Sequence, residues 1–128
     1  MKLLLDSCTF LWIVADDPHL SATARAMFRD PSNEAFLSVV SAWEIAVKSA
    51  LGNMPLPEPA DSYVPNFRKK ELIEPLPLSE EMVLQVVRLP LIHRDPFDRL
   101  LICQAIAEGM AILTPDNRIR QYPVRTIW

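Results

Sequence analysis

The sequence predicts an α/β fold in which a parallel sheet is covered by helices on both faces. Short apolar runs, of which residues 3–5 are the first, alternate with segments of helical periodicity along the chain. Parallel strands need crossover connections, and helices commonly supply them. Strands that are buried on both faces read as continuous apolar runs, as these do.

Composition predicts one domain, residues 1–128, because a chain of 128 residues with 50% hydrophobic content can bury a single core. The apolar runs are too short to span a bilayer, and the N-terminus lacks the pattern of a signal peptide. We therefore expect a soluble cytoplasmic protein with no membrane partner. Cys8 and Cys103 form no C-x-x-C pair, which predicts buried free thiols.

The net charge limits the function classes. A formal charge of −3 and a pI near 5.3 exclude a protein that holds nucleic acid mainly through a basic surface, which needs clustered Lys and Arg. Any role with nucleic acid must therefore depend on a local site.

The first half of the chain predicts two strands and three helices. In order, these are a strand over residues 3–5, a helix over 10–14, a helix over 21–29, a strand over 35–39 and a helix over 41–52. Ser21 is the N-cap of its helix. Ser41 and Glu44 form a capping box, and Gly52 ends that helix.

Beyond the proline-rich connection, the second half predicts three more helices and three strands. In order, these are a helix over 61–72, a strand over 73–76, a helix over 79–90, a helix over 95–109 and strands over 110–113 and 124–127. Pro65 lies inside the first of these helices. Ser79 caps the second, and its inner side carries Val83, Val86 and Val87.

The helix after residue 94 opens with two acids. Asp95 is the predicted N-cap, Pro96 suits the first helical position, and Asp98 follows at the third. Asp98 shares a face with apolar residues three, four and seven positions later, so its carboxylate needs a partner there.

Three further acids lie near strand ends. Asp6 follows the first strand, Glu44 lies early in the helix after the second, and Asp116 follows the strand over 110–113. In parallel sheets the ligand site lies beyond the carboxyl ends of the strands. Asp98 joins these acids only if the loop over 90–94 crosses to that edge.

Each acid also has an ordinary structural explanation. Asp6 suits an N-cap, Glu44 a capping box or an ion pair with Lys48, and Asp116 an Asx turn. If the four carboxylates converge, however, a divalent cation would relieve their repulsion. An oxygen ligand set with no well-placed His or Cys favours Mg²⁺ or Mn²⁺, and such an ion suits phosphodiester hydrolysis. Thr114 is a candidate to orient a ligand or a water molecule.

Four motifs in this order resemble those of PIN-domain ribonucleases, and more narrowly the VapC-like toxins of type II toxin–antitoxin systems. They are Leu3-Leu4-Leu5-Asp6-Ser7, Ser41-x-Trp43-Glu44-Ile45-Ala46-x-Lys48, His93-Arg94-Asp95-Pro96-Phe97-Asp98-Arg99-Leu100-Leu101-Ile102 and Thr114-x-Asp116. A single motif such as Leu-Leu-Leu-Asp is a weak signal, whereas the Asp-Pro-Phe-Asp-Arg-Leu-Leu block together with the other motifs at this spacing is specific.

The resemblance implies a three-layer α/β/α sandwich and a Mg²⁺- or Mn²⁺-dependent endoribonuclease that cuts structured RNA, commonly tRNA or rRNA. It also implies a homodimer and a cognate VapB-like antitoxin that blocks the site. The family's four acids correspond to Asp6, Glu44, Asp98 and Asp116, which would be catalytic metal ligands. Ser7 and Thr114 stand at the positions of its supporting hydroxyls. Cys8 stands where relatives in this subgroup often carry His.

Arginines near the acids are candidate RNA contacts, because four carboxylates repel phosphate. The candidates are Arg94, Arg99 and Arg118, and Arg120 and Arg125 are further candidates. His93 is a candidate to contact RNA or the leaving group, but as a lone loop histidine it is predicted to be solvated.

Three other function classes are compatible with acids at strand ends. A receiver domain lacks its adjacent acids here because Ser7 follows Asp6, and a haloacid-dehalogenase-type phosphatase lacks its second acid because Cys8 occupies that position. The sequence leaves open a non-catalytic PIN-like interaction module whose acids only bind a basic partner.

Overall fold

The computed structural model describes all residues, 1–128, and contains one sheet of five parallel strands in the order β3-β2-β1-β4-β5. The strands are β1 (Lys2–Leu5), β2 (Glu34–Ser38), β3 (Glu74–Leu76), β4 (Ala111–Leu113) and β5 (Thr126–Ile127). The predicted α/β class with a central parallel sheet is confirmed.

Six α-helices and two 3₁₀ helices connect the strands. They are α1 (Ser7–Ala15), α2 (Ala22–Arg29), α3 (Val39–Ala50), α4 (Ala60–Lys70), α5 (Glu80–Leu84) and α6 (Pro96–Glu108), with 3₁₀ helices at Gln85–Arg88 and Ile119–Gln121. The helix predicted around Pro65 is present as α4. A search of these helices for one long and apolar enough to cross a bilayer finds none.

Alternating residues of β1 enter two separate cores. Leu3 and Leu5 are fully buried on one face of the sheet with Phe10 of α1, whereas Leu4 is fully buried on the other face with Leu101 of α6. Burying a Leu or Phe side chain stabilises the fold by about 1.5–3 kcal/mol. Two cores on opposite faces of one sheet give the three-layer α/β/α sandwich that the resemblance implied.

Strand register aligns the residues that follow the central strands. Leu5 pairs with Leu37 of β2 on one side and with Leu113 of β4 on the other. The next residues, Asp6 and Thr114, are therefore neighbours at the carboxyl edge of the sheet.

The start of α3 differs from the prediction. Ser38 is the N-cap, and its hydroxyl accepts a hydrogen bond from the Val40 N–H at 3.0 Å and donates one to the Gln104 amide oxygen. The predicted capping box of Ser41 with Glu44 is wrong, because the helix starts earlier than predicted and both residues lie within it. Glu44 is therefore not used in a cap.

We expect Ser38→Ala to lower the free energy of unfolding by about 1–2 kcal/mol, because it removes both the cap and the partner of a buried amide. Ser41→Ala is the matched control, because the buried Ser41 hydroxyl has no hydrogen-bond partner. Its loss should be neutral or slightly stabilising. Urea unfolding of both variants checks this. If Ser41→Ala lost more free energy of unfolding than Ser38→Ala, Ser41 and not Ser38 would be the cap.

The helix predicted over 79–90 is shorter than expected. It is α-helical only through Leu84 and then tightens into the 3₁₀ helix. Since 3₁₀ geometry has three residues per turn, Val87 no longer shares a face with Val83 and Val86. Val87 is 81% exposed and Val83 37% exposed, so their predicted inward orientation is wrong.

Candidate active site

The four predicted acids line one cavity of about 220 Å³ at the carboxyl edge of the sheet. Its lining residues are Asp6, Ser7, Cys8, Glu44, Lys48, His93, Asp95, Asp98, Asp116 and Arg118. The cavity therefore combines the ends of β1 and β4 with one face of α3 and the first turn of α6.

Asp6 is the N-cap of α1 and also a buried acid of the cavity. One carboxylate oxygen accepts the Thr9 N–H at 2.8 Å, and the other accepts the Thr114 hydroxyl at 2.5 Å. Burial raises the pKa of Asp6, the charge of Glu44 raises it further, and the bonds from Thr114 and Thr9 oppose that rise. The predicted cap is present, and it also fixes the carboxylate at the cavity.

Glu44 is 6% exposed and has two partners. The Ser7 hydroxyl donates to one carboxylate oxygen at 2.5 Å, and the Lys48 ammonium lies 2.5 Å from the other. The ion pair with Lys48 one turn later was one of the predicted roles of Glu44. The hydrogen bond with Glu44 raises the pKa of Lys48.

Asp98 lies in the first turn of α6, where Asp95 is the N-cap that the sequence predicted. Burial, followed by the charge of Asp95, raises the pKa of Asp98 to about 6, while a hydrogen bond with His93 acts in the opposite direction. That bond joins Oδ2 of Asp98 to Nε2 of His93 at 2.7 Å. A partly buried carboxyl with such a pKa is costly to ionise without a cation beside it.

Asp116 is held by the turn that follows β4. One of its oxygens accepts the Arg118 N–H at 2.8 Å, which is an Asx turn, and its own N–H donates to the Thr114 hydroxyl at 3.1 Å. Since the same hydroxyl donates to Asp6, Thr114 links two acids. The predicted supporting position of Thr114 thus has a physical basis.

The expectation that His93 is a solvated loop residue is wrong. Its side chain is 5% exposed and lies between Asp98 and Asp116, with Nε2 3.8 Å from Oδ2 of Asp116. Ligand atoms of these three residues all lie within 4.8 Å of one another. The cavity therefore contains a well-placed His that the sequence reasoning excluded.

The loop over 90–94 crosses to the active edge because two side chains hold it there. The Tyr122 hydroxyl accepts the His93 N–H at 2.8 Å and the Ile92 N–H at 3.2 Å. The Arg99 guanidinium donates to the carbonyls of Pro90 and Val86 at 3.1 Å each. These long-range bonds bring the first turn of α6 to the cavity.

The three candidate RNA-contact arginines occupy different places. Arg118 lines the acidic cavity, whereas Arg94 and Arg99 line a separate groove beside Val83 and Leu91. Arg99 is the least available for phosphate because its guanidinium donates to loop carbonyls.

The two cysteines are free, as predicted, but the prediction that both thiols are buried is wrong for Cys8. Cys103 is buried in α6, and Cys8 is exposed at the cavity. Although the residue is exposed, partial desolvation of its thiol by the surrounding protein, and then the charges of Asp6 and Glu44, raise the pKa of Cys8 to about 11. Cys8 is therefore an uncharged thiol at neutral pH and contributes no negative charge to the cavity.

The donor set fits a divalent cation. Asp6, Glu44, Asp98 and Asp116 supply hard oxygen ligands, which Mg²⁺ and Mn²⁺ prefer. Only Lys48 and Arg118 bring fixed positive charge to the lining. The raised pKa values of Asp6 and Asp98 mean that ionising these carboxyls costs free energy, and a bound cation would offset that cost.

The chain matches the family model of the PIN domain over residues 3–124. Ribonuclease VapC16 of Mycobacterium tuberculosis is 44% identical over 63 residues, which cover 46% of this chain. The matched region spans 45% of that relative's length.

Solved structures with a similar fold come from three bacteria. The VapBC2 structure from Rickettsia felis, bound to a promoter DNA fragment, aligns with a TM-score of 0.72 at 14% identity over 99% of this chain and 98% of that one. VapBC-1 from nontypeable Haemophilus influenzae gives 0.65 at 16% identity, over 99% and 97%. FitAcB from Neisseria gonorrhoeae gives 0.61 at 17%, over 98% and 96%. At these identities the likeness shows the fold.

Proposed function

Because the chain belongs to the PIN domain family, as its motifs indicated, we propose that it is a divalent-metal-dependent endoribonuclease that acts as the toxin of a toxin–antitoxin pair. The observation that carries this proposal is the convergence of Asp6, Glu44, Asp98 and Asp116 on one cavity at the carboxyl edge of the sheet. The partial match to a relative named as a ribonuclease supports the same reaction class.

The four acids would hold Mg²⁺, or Mn²⁺ in its place. When bound, such an ion withdraws charge from the scissile phosphate and lowers the pKa of a bound water molecule. Thr114 keeps Asp6 and Asp116 in place, and the Ser7 hydroxyl does the same for Glu44. The carboxylate that contacts the attacking water accepts its proton.

The proposed substrate is structured RNA, with tRNA and rRNA as the first candidates. RNA phosphates approaching an acidic cavity need cations at its rim. Arg118 stands there with its side chain 65% exposed, and Arg94 and Arg99 lie along a neighbouring groove. We propose Arg118 as the foremost phosphate contact.

The proposed partners are a VapB-like antitoxin and a second copy of the chain, and the proposed location is the cytoplasm. The antitoxin is suggested by the similarity to the VapBC2 and VapBC-1 structures. Exposed apolar side chains at Leu84, Val87 and Leu91, which are 58%, 81% and 70% exposed, offer surface that association would bury.

The geometry favours catalysis over a module that only binds a basic partner. Carboxylates that serve only as a docking surface gain from exposure, whereas Asp6 and Glu44 are 8% and 6% exposed. Buried acids with opposing hydrogen-bond donors are typical of a site that holds a small cation.

The proposal predicts that the purified chain cleaves total RNA with Mg²⁺ or Mn²⁺ and not with EDTA. Asp6→Asn should keep the α1 cap and lose cleavage, because the amide retains an acceptor for Thr9 and loses the charge that holds the cation. Asp61→Asn, which removes the same charge from an exposed position in α4, is the matched control. Equal cleavage by Asp6→Asn and the parent would refute the assignment.

A further inference from the structure

We infer that His93 is a positioning residue, which donates its Nε2–H to Asp98 and fixes that carboxylate for the cation without binding the cation itself. The inference rests on the proposed function, because it concerns how one of the proposed ligands is held. His93 is not one of the four acids, so the proposed ligand set alone gives it no role.

The surroundings of the imidazole define which nitrogen carries the proton. The Asp95 N–H points at Nδ1 of His93 at 3.4 Å, which requires a lone pair on Nδ1. The neutral ring therefore carries its hydrogen on Nε2. That hydrogen faces Oδ2 of Asp98 at 2.7 Å, a distance suited to a bond with an ionised acceptor.

A ligand role for His93 requires the opposite tautomer. Nε2 would have to offer its lone pair to the cation, so the hydrogen would move to Nδ1. It would then face the Asp95 N–H, and two donors would oppose each other. The proximity of His93 to Asp98 and Asp116 alone does not decide between the two roles, but the position of the Asp95 N–H does.

The imidazole is placed to act on Asp98 more than on Asp116. Its Nε2 lies 2.7 Å from Asp98 and 3.8 Å from Asp116, so only the first is within hydrogen-bond distance. His93 makes the only hydrogen bond to the Asp98 carboxylate, at Oδ2, and Oδ1 stays available as a ligand. The Tyr122 hydroxyl fixes the His93 backbone, so the donor itself is held rigidly.

The first measurement is the imidazole ¹⁵N spectrum of the metal-free protein at about pH 8, above the ordinary pKa of imidazole. The chain has two His residues, and His19→Asn assigns the signals because it leaves His93 alone. We expect His93 as the Nε2–H tautomer. The Nδ1–H tautomer would overturn the inference.

The second measurement is Mn²⁺ affinity by electron paramagnetic resonance. His93→Ala should weaken Mn²⁺ binding by about 10- to 100-fold, as loss of a hydrogen bond to a metal ligand typically does. His93→Gln places an N–H donor near the position of Nε2 and should retain most of the affinity. His19→Asn is the matched control, because His19 also pairs with a carboxylate, Asp17, at an exposed position.

Three results would contradict the inference: no Mn²⁺ binding by the parent, a ¹⁴N coupling that shows direct imidazole coordination, or equal loss in His93→Gln and His93→Ala. If His93→Ala does not fold, the ¹⁵N spectrum of the parent and the affinity of His93→Gln still decide. A parent that binds Mn²⁺ through a His93-dependent Asp98 but cuts no RNA would refute the proposed function and leave the His93 inference standing.

Discussion

Replacing Asp98 by Asn is expected to reduce RNA cleavage by about 100-fold or more and, in the same molecule, to stabilise the metal-free fold at neutral pH. The first effect follows because a bound cation stabilises the transition state by several kcal/mol, and each 1.4 kcal/mol of that stabilisation changes the rate about tenfold. The second follows from the cost of ionising a buried carboxyl that has no cation.

The direction of the pH dependence follows from the pKa of Asp98, which rises from 3.8 to about 6 in the metal-free fold. The folded state therefore binds the proton more tightly than the unfolded chain. The stabilisation due to protonated Asp98 is complete below about pH 3.8 and is lost as the pH rises through about 6. Since the side chain is only 16% exposed, ionisation costs roughly 3 kcal/mol at pH 7.

Urea unfolding in EDTA tests this expectation. Asn cannot ionise, so Asp98→Asn should exceed the parent in stability at pH 7, and the difference should shrink towards pH 4. Addition of Mn²⁺ should stabilise the parent and leave the variant almost unchanged. A variant that is no more stable than the parent in EDTA at pH 7 would mean that burial of Asp98 is not costly, and undiminished cleavage would remove Asp98 from the site.

Much of the fold was predictable because parallel sheets follow local rules. The continuous apolar run of β1 and the acid directly after it indicated a buried central strand with a polar carboxyl end. Asp95 was predictable as a cap because Pro96 and Asp98 follow it in helical register. Each of these features depends on residues that are close together in the sequence, so local sequence patterns predict it.

The features that were missed depend on partners far apart in sequence. His93 is buried because Tyr122, 29 residues later, holds its N–H, and no local pattern carries that information. Ser38 caps α3 because it also reaches Gln104, 66 residues away. Ser41 fitted the local capping pattern equally well, so the tertiary contact decided between the two serines.

The loop contact leads to the second large effect, which we expect from Tyr122→Phe. The change removes the hydroxyl that accepts the buried His93 N–H and the Ile92 N–H and leaves the ring in the core. A buried donor without a partner costs about 1–3 kcal/mol, so the free energy of unfolding should fall by roughly 2 kcal/mol.

The cleavage rate of Tyr122→Phe should be measured under conditions in which the variant is fully folded. It should still fall below that of the parent, so that the loss of stability does not explain the decrease. The released loop carries His93, and a displacement of about 1 Å at a catalytic group is worth up to about 100-fold in rate. Mn²⁺ affinity should fall with it, because Asp98 loses the donor that holds it.

Tyr63→Phe is the matched control for this substitution. Tyr63 is 5% exposed and packs against Phe67. Its hydroxyl does not belong to the buried polar groups that lack a hydrogen-bond partner. Its removal should change the free energy of unfolding by less than about 0.5 kcal/mol and leave Mn²⁺ affinity intact. If Tyr122→Phe behaved like Tyr63→Phe in both measurements, the hydroxyl would not be what holds the loop at the carboxyl edge, and the route from Tyr122 through His93 to Asp98 would be broken at its first step.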